Sequence, residues 1–278
     1  QALLDLSPVR SPLNSDTITV YAPDNSEDAL KNLLSIDDDV MEKFLSYVLT
    51  LAPNVQSTLA INIVIFLLWQ LNGKFMLRHA AISNKNWKEG RWWSAILGSF
   101  SHSDLYHIVG NMSILLSIGA RVHAVIGDKA FAGVILGSSI ICSGLTLLYN
   151  YVVARLRPDS KVHQQSLSTP HIGFSGINCT LLYLYTAINP SLLVLYGFTS
   201  HPAITLKDMF FLGLEFDLTG LAISACAAPT PISHIGHLSG VCAGVLLRLF
   251  LTVSDVGRRW IGKKAVKSLS QPLFTFKF

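Results

Sequence analysis

Long apolar runs recur along this chain with few charges inside them, and they constrain its fold more than any other feature. In hydrocarbon no water satisfies backbone N–H and C=O groups, so a run buried there must close its own hydrogen bonds as a helix or join a closed barrel. A spanning helix needs about 20 mostly apolar residues, somewhat fewer where snorkelling groups flank it. The runs here match the helix, at about 57–71, 105–125, 131–153, 172 to the residue before Asn189, 206–225 and 235–251. The pattern predicts an all-α, polytopic membrane protein built as a six-transmembrane-helix bundle. Composition agrees: 50% of residues are hydrophobic and 14% charged, against roughly a quarter charged in a soluble domain.

The remaining segments divide the chain. Residues 1–55 form a soluble or interfacial N-terminal extension, rich in acids (Asp16, Asp24, Glu27, Asp28, Asp37, Asp38, Asp39), with an amphipathic stretch at 40–51 that lies at the surface as a helix ended by Pro53. Residues 56–253 form the membrane domain. Residues 254–278 form a basic tail carrying Arg258, Arg259, Lys263, Lys264 and Lys267, read either as a solvated flank or as a contact for anionic headgroups. A net charge of +4, split between an acidic start and a basic end, gives no argument for nucleic acid. Cys142, Cys179, Cys226 and Cys242 all lie in apolar stretches and read as small hydrophobes, not as a disulfide framework. The connection at 73–103 holds Lys74, Arg78, Lys85, Lys88, Arg91, Trp92 and Trp93, a composition suited to the membrane interface. Its length is that of a functional loop.

Polar residues inside these runs are costly and therefore informative. Alternate helices reverse direction, so the second, fourth and sixth runs point the same way, and each carries its polar residues in its first turns. His107 and Asn111, four apart, share a face of the second. Ser175 opens the fourth and His237 lies near the start of the sixth. Gly173 and Gly176 flank Ser175, and Gly240 and Gly244 form a small-xxx-small face after His237, so these two helices can pack closely. A serine hydroxyl becomes a nucleophile when a neutral imidazole within hydrogen-bond reach takes its proton. His237 is the candidate base and His234 the second-ranked one. The Asn111 amide, His107 and the Ser175 N–H are candidates to stabilise a developing oxyanion. Each signal alone also fits helix packing; their joint occurrence at one depth favours chemistry. A metal site built from His102, His107, His234 and His237 is the weaker reading, because no H-E-x-x-H motif is present. Lys207, Asp208, Glu215 and Asp217 in the fifth run suit a helix end and a loop as well as a transport path.

Three motifs then stand in the chain: H-x-x-x-x-H-x-x-x-N at His102, His107 and Asn111, G-x-S-G at 173–176, and H-x-x-G-x-x-x-G at 237–244. Together they resemble the signature of the rhomboid intramembrane serine proteases, over about 57–251. The stretches Ser99-Phe100-Ser101-His102, His107 through Met112, Leu67-Leu68-Trp69 and Met76-Leu77-Arg78, with the region 192–221, look most like the mitochondrial, presenilin-associated rhomboid-like branch. The resemblance implies Ser175 as nucleophile, His237 as general base and acid, His107 and Asn111 as oxyanion partners and His102 as their support. It implies no metal or organic cofactor. Its substrates are membrane proteins with a single transmembrane helix, locally unwound within the lipid bilayer, and its location is the mitochondrial inner membrane. The alternative is a catalytically silent rhomboid-like subunit or scaffold of a larger inner-membrane complex, since a complete motif gives capacity and not turnover. Two positions differ from the common family pattern: Cys179 stands where an aromatic residue often follows the serine by four, and Trp92-Trp93-Ser94 replaces a Trp-Arg pair.

Overall fold

Pro53 decides where the first long helix begins. Ala52 before it is extended (φ −61°, ψ 144°), as a residue preceding proline prefers, and Pro53 occupies the first helical turn, where its missing N–H costs nothing. The computed structural model describes residues 38–158, 160, 167–194, 204–226 and 233–272; the acid-rich part of the N-terminal extension before Asp38 lies outside them. Helix α1, Asp38–Thr50, is the amphipathic stretch expected from the sequence. Tyr47 Oη donates to the Leu116 carbonyl at 2.9 Å and ties α1 to the bundle. Helix α2, Pro53–Leu71, buries Val55, Leu59, Asn62, Ile65 and Trp69 at helical spacing and turns Ile61, Val64, Leu67, Leu68 and Leu71 outward. Large apolar residues facing outward all along a helix are what lipid contact requires.

The connection after α2 is folded into short pieces: α3 Gly73–His79, α4 Asn84–Lys88, α5 Ser94–Leu97 and a 3-10 turn, Gly98–Phe100. Side-chain oxygens of Asn72 and Ser83 accept from the N–H groups of Phe75 and Asn86 and so cap α3 and α4. Buried Asn86 donates to the Leu77 and Ala81 carbonyls and accepts from Arg91, which ties the pieces together.

Helix α6, Leu105–Ile114, is capped by the Asp104 carboxylate, which accepts from His107 N–H at 2.8 Å. A π-helical turn, Leu115–Gly119, joins it to α7, Ala120–Leu156. The sequence placed two runs at 105–125 and 131–153, and the chain indeed changes direction between them, at Gly127 (φ 78°, ψ 174°), a conformation reserved for glycine. Asp128 lies beside Asn54 at the start of α2, whereas Ser143 and Leu147 meet Ala95 and Asn84 of the connection, at the other end of the molecule.

Helix α8, Ser175–Ile188, follows; it is shorter than the run read from the sequence, because residues 172–174 form a bent approach and not a first turn. A two-residue antiparallel pair, β1 Leu193–Val194 with β2 Ile204–Thr205, leads into α9, Leu206–Cys226, then α10, His234–Val253. The charges that made 206–225 hard to read sit inside a continuous helix. Among the described residues, three helical stretches are long and apolar enough to cross a membrane: Pro53–Leu71, Leu105–Leu156 and His234–Val253.

The tail departs from expectation. Residues 255–269 are not a free flank: α11, Asp255–Leu269, buries Gly257, Ile261, Ala265 and Leu269 against α7, α8 and α10. Arg248 of α10 donates to the Leu269 and Gln271 carbonyls and to Tyr183 Oη at 3.2 Å, so a cation caps the C-terminal end of α11.

Candidate active site

The approach to α8 shows why its residues are what they are. His171 exchanges backbone hydrogen bonds of 2.8 Å with Ile82, and its ring meets Asn150 of α7 and Ser233 before α10. Gly173 N–H donates to the Gly98 carbonyl at 2.9 Å. Its φ of 126° excludes other residues, and a Cβ there would lie 2.7 Å from His107 Nε2 and 3.8 Å from Ser175 Oγ. His107 and Ser175 thus line one small space beside Gly173. Phe174 is fully buried against Phe100, with ring centroids 5.7 Å apart, and its N–H donates to His102 Nε2 at 3.4 Å. His102, itself fully buried, also meets the His107 ring edge to face at 4.8 Å. It therefore supports both the residue before Ser175 and the ring across from it.

Ser175 is the first residue of α8, where backbone N–H groups have no intrahelical acceptor. Close packing carries this helix against α10: a Cβ on Gly176 would lie 3.0 Å from the Gly236 carbonyl oxygen, and a Cβ on Gly240 would overlap the Gly176 carbonyl. Thr180 Oγ1 donates to the Gly240 carbonyl at 2.7 Å. Gly244 lies against Tyr183. Of the four glycines singled out in the sequence, three pack α8 on α10, whereas Gly173 gives room to His107 instead.

The approach of Gly176 to the Gly236 carbonyl brings the start of α8, which Ser175 opens, against the first turn of α10, which carries His237. Among the described residues no hydrogen bond joins Ser175 Oγ to His237. The His237 ring is held from its other side: Nδ1 meets Asp217 Oδ1 at 2.9 Å, and His234 Nδ1 meets the same oxygen at 2.8 Å. A carboxylate accepts only, so both rings donate to Asp217 from Nδ1, and Nε2 is the His237 nitrogen left to exchange a proton with a substrate or a nucleophile. Asp217 is 8% exposed and lies mid-helix in α9. Sequence reading passed over its role because four charges in one run looked like a helix end; the available signal was the cost of an acid in an apolar helix, which demands a partner. His171 was missed for want of any motif around it.

Asn111 lies near this group but its amide is engaged. Nδ2 donates to the His107 carbonyl at 2.9 Å, and Oδ1 accepts from Asn178 Nδ2 at 2.8 Å. The pair joins α6 to α8 one turn past Ser175.

Burial outside the spans has a measurable consequence. Removal from water, aided by the nearby His107 ring, pushes His102 down to about 3, and burial likewise pushes His171 down to about 4. Both rings stay neutral when folded but take up protons when unfolded below the ordinary imidazole value of about 6.5. Stability is therefore fully present above about pH 6.5 and declines as pH falls toward the folded values, by up to about 1.4 kcal/mol per pH unit for fully buried His102. Thermal unfolding of the purified protein in detergent should show a lower midpoint at pH 5 than at pH 7, and a His102→Asn variant a flatter dependence. An unchanged midpoint contradicts the burial.

Similarity to known proteins follows the same residues. Residues 89–254, more than half of the chain, match the family model for the rhomboid domain. Mouse rhomboid-related protein 4 is 29% identical over 197 residues, covering 70% of this chain and 56% of that protein. Human rhomboid-related protein 4 is 27% identical over 197 residues, covering 70% and 56%. The Arabidopsis thaliana RHOMBOID-like protein 12, mitochondrial, is 27% identical over 190 residues, covering 66% and 54%. The chain spans about half the length of these curated relatives. A polytopic helical fold with apolar spans, and a domain match that runs from the connection before α6 to the end of α10, identify this membrane protein as a member of the rhomboid family.

Proposed function

We propose that the chain is an intramembrane serine endopeptidase that cuts membrane proteins in or near a single transmembrane helix. One observation supports the reading: at one end of the bundle the start of α8, which Ser175 opens, packs on the start of α10, where His237 Nδ1 meets Asp217 Oδ1 at 2.9 Å. In the reaction, Ser175 Oγ attacks the substrate carbonyl while His237 Nε2 takes its proton, and the proton then passes to the departing amine. Asp217 holds the ring in the required tautomer and stabilises the imidazolium that forms. Negative charge on the carbonyl oxygen is met by the Ser175 N–H at the start of α8 and by His107 beside Gly173, with Asn111 contributing once its amide leaves the His107 carbonyl. Ser175 and His237 close into hydrogen-bond contact when substrate fills the site, as unliganded catalytic pairs often stand apart. Substrate must unwind locally, because a peptide bond inside a helix is shielded by its own turns.

Six helical runs crossing the membrane, a location in the mitochondrial inner membrane and membership of a larger complex belong to the same proposal. The location is supported by the similarity to the mitochondrial RHOMBOID-like protein 12 of Arabidopsis thaliana. A fluorophosphonate probe tests the chemistry: in isolated membranes it should label the wild type on Ser175 and leave Ser175→Ala unlabelled. Absence of label on wild-type protein that remains folded overturns the enzyme and leaves a silent rhomboid-like helix binder.

A further inference from the structure

The end of the bundle away from Ser175 holds a second polar feature that catalysis does not use. Gly257, Ile261, Ala265 and Leu269 of α11 are buried, whereas Arg259, Lys263 and Lys267, which alternate with them, are exposed. Gly262 breaks the helix between them (φ 72°, ψ 167°). A cavity of about 690 Å³ is lined by Arg258, Arg259, Lys263 and Lys267 with one acid, Asp255. All four cations are exposed, and none forms a salt bridge among the described residues. Arg258 is aimed by its Nε, which donates to the Thr252 carbonyl at 2.7 Å and leaves the end of its guanidinium free to reach the cavity. Four cations against one carboxylate in an open hollow call for an anion with several acceptor oxygens.

The surroundings say which anion. Thr252, in the last turn of α10, lines the cavity, so the hollow opens where an apolar helix leaves the hydrocarbon. Leu249, Val253, Val256 and Trp260 are large and exposed on the adjoining surface. Trp260 packs over Gly133 of α7, in the position that tryptophan favours at a membrane interface. A phosphate ester in the cavity with hydrocarbon chains along this apolar strip satisfies both surfaces at once.

We propose that this cavity binds the headgroup of an anionic phospholipid, holding the junction of α10 and α11 at the membrane surface. The site stands on its own residues and does not depend on proteolysis. Each cation near an anionic surface contributes about five-fold in affinity, so three together contribute on the order of 10²-fold. The test uses the full chain purified from membranes and reconstituted in mixed phosphatidylcholine and phosphatidylglycerol nanodiscs. Native mass spectrometry on the wild type should show retained phosphatidylglycerol enriched over phosphatidylcholine well beyond the bulk ratio, and phosphatidylglycerol should raise the unfolding temperature. The variant Arg259→Gln, Lys263→Gln, Lys267→Gln should lose both effects, whereas Lys264→Gln, outside the cavity, should keep them. A wild type that retains lipid at the bulk ratio overturns the proposal whether or not the triple variant folds. So does an equal rise in unfolding temperature with inorganic phosphate at matched ionic strength, which assigns the cavity to free phosphate.

Discussion

Cleavage of a transmembrane substrate should vanish in Ser175→Ala and fall about 10²- to 10⁴-fold in kcat in Asp217→Asn, with KM little changed in the second. The two effects differ in kind. Removing Ser175 Oγ removes the atom that forms the bond to substrate. Replacing Asp217 removes the charge that selects the His237 tautomer and that stabilises the imidazolium as the proton arrives. An asparagine keeps the shape but can turn its amide donor toward the His237 ring, which then holds its proton on Nε2 and is no base toward Ser175. His234 provides the internal comparison. It shares the same Asp217 oxygen, sits against Phe216 with ring centroids 5.3 Å apart, and lies over Gly220, where a methyl would overlap its ring. These contacts wrap it into α9, away from the serine. Changing His237 should abolish cleavage, whereas His234→Gln should leave most of it. Measured rates against a fluorogenic transmembrane peptide decide between the two rings. Full activity in Asp217→Asn means that the carboxylate only packs α9 on α10.

The sequence carried much of this arrangement, and the parts it hid share a cause. Apolar period and length place helices at Pro53–Leu71 and His234–Val253 to within a few residues, because hydrocarbon leaves the backbone so few alternatives. Alternation of six runs puts Ser175 and His237 at one level as an expectation, and the structure packs the two helix starts that carry them together. What stayed hidden depends on pairs distant in sequence. Asp217 has meaning only once α9 lies beside the first turn of α10, 17 residues from one histidine and 20 from the other. His171 has meaning only against Ile82, Asn150 and Ser233. Amphipathic α11 was hidden for a different reason. Its buried face consists of Gly257, Ile261, Ala265 and Leu269, two of them too small to register as apolar, so the basic residues between them dominated the reading.

Gly240→Val should destabilise the bundle more than any other single glycine replacement in the helices around the site. A Cβ at 240 would overlap the Gly176 carbonyl and stand 2.9 Å from Cys179 Cβ. The nearest obstacle is backbone, which cannot rotate away, so α8 and α10 must separate along the whole contact. That separation also breaks the 2.7 Å bond from Thr180 Oγ1 to the Gly240 carbonyl and moves Ser175 from His237. Overpacking typically costs about 1–3 kcal/mol, and a rigid backbone clash at a helix crossing belongs at or above the top of that range. Gly244 gives a graded comparison: a Cβ there meets Tyr183 Cδ1 at 2.7 Å, a ring edge that can shift, so Gly244→Ala should cost less. Gly213 of α9 has nothing within 4 Å of its Cβ position, and Gly213→Ala should be neutral or gain up to about 1 kcal/mol from helix propensity. Unfolding temperatures in detergent should therefore rank Gly213→Ala above Gly244→Ala above Gly240→Val, with cleavage lost in the last even where some fold survives. A Gly240→Val protein with wild-type stability and activity would mean that α8 and α10 do not cross at these glycines, and the approach of Ser175 to His237 would lose its structural basis.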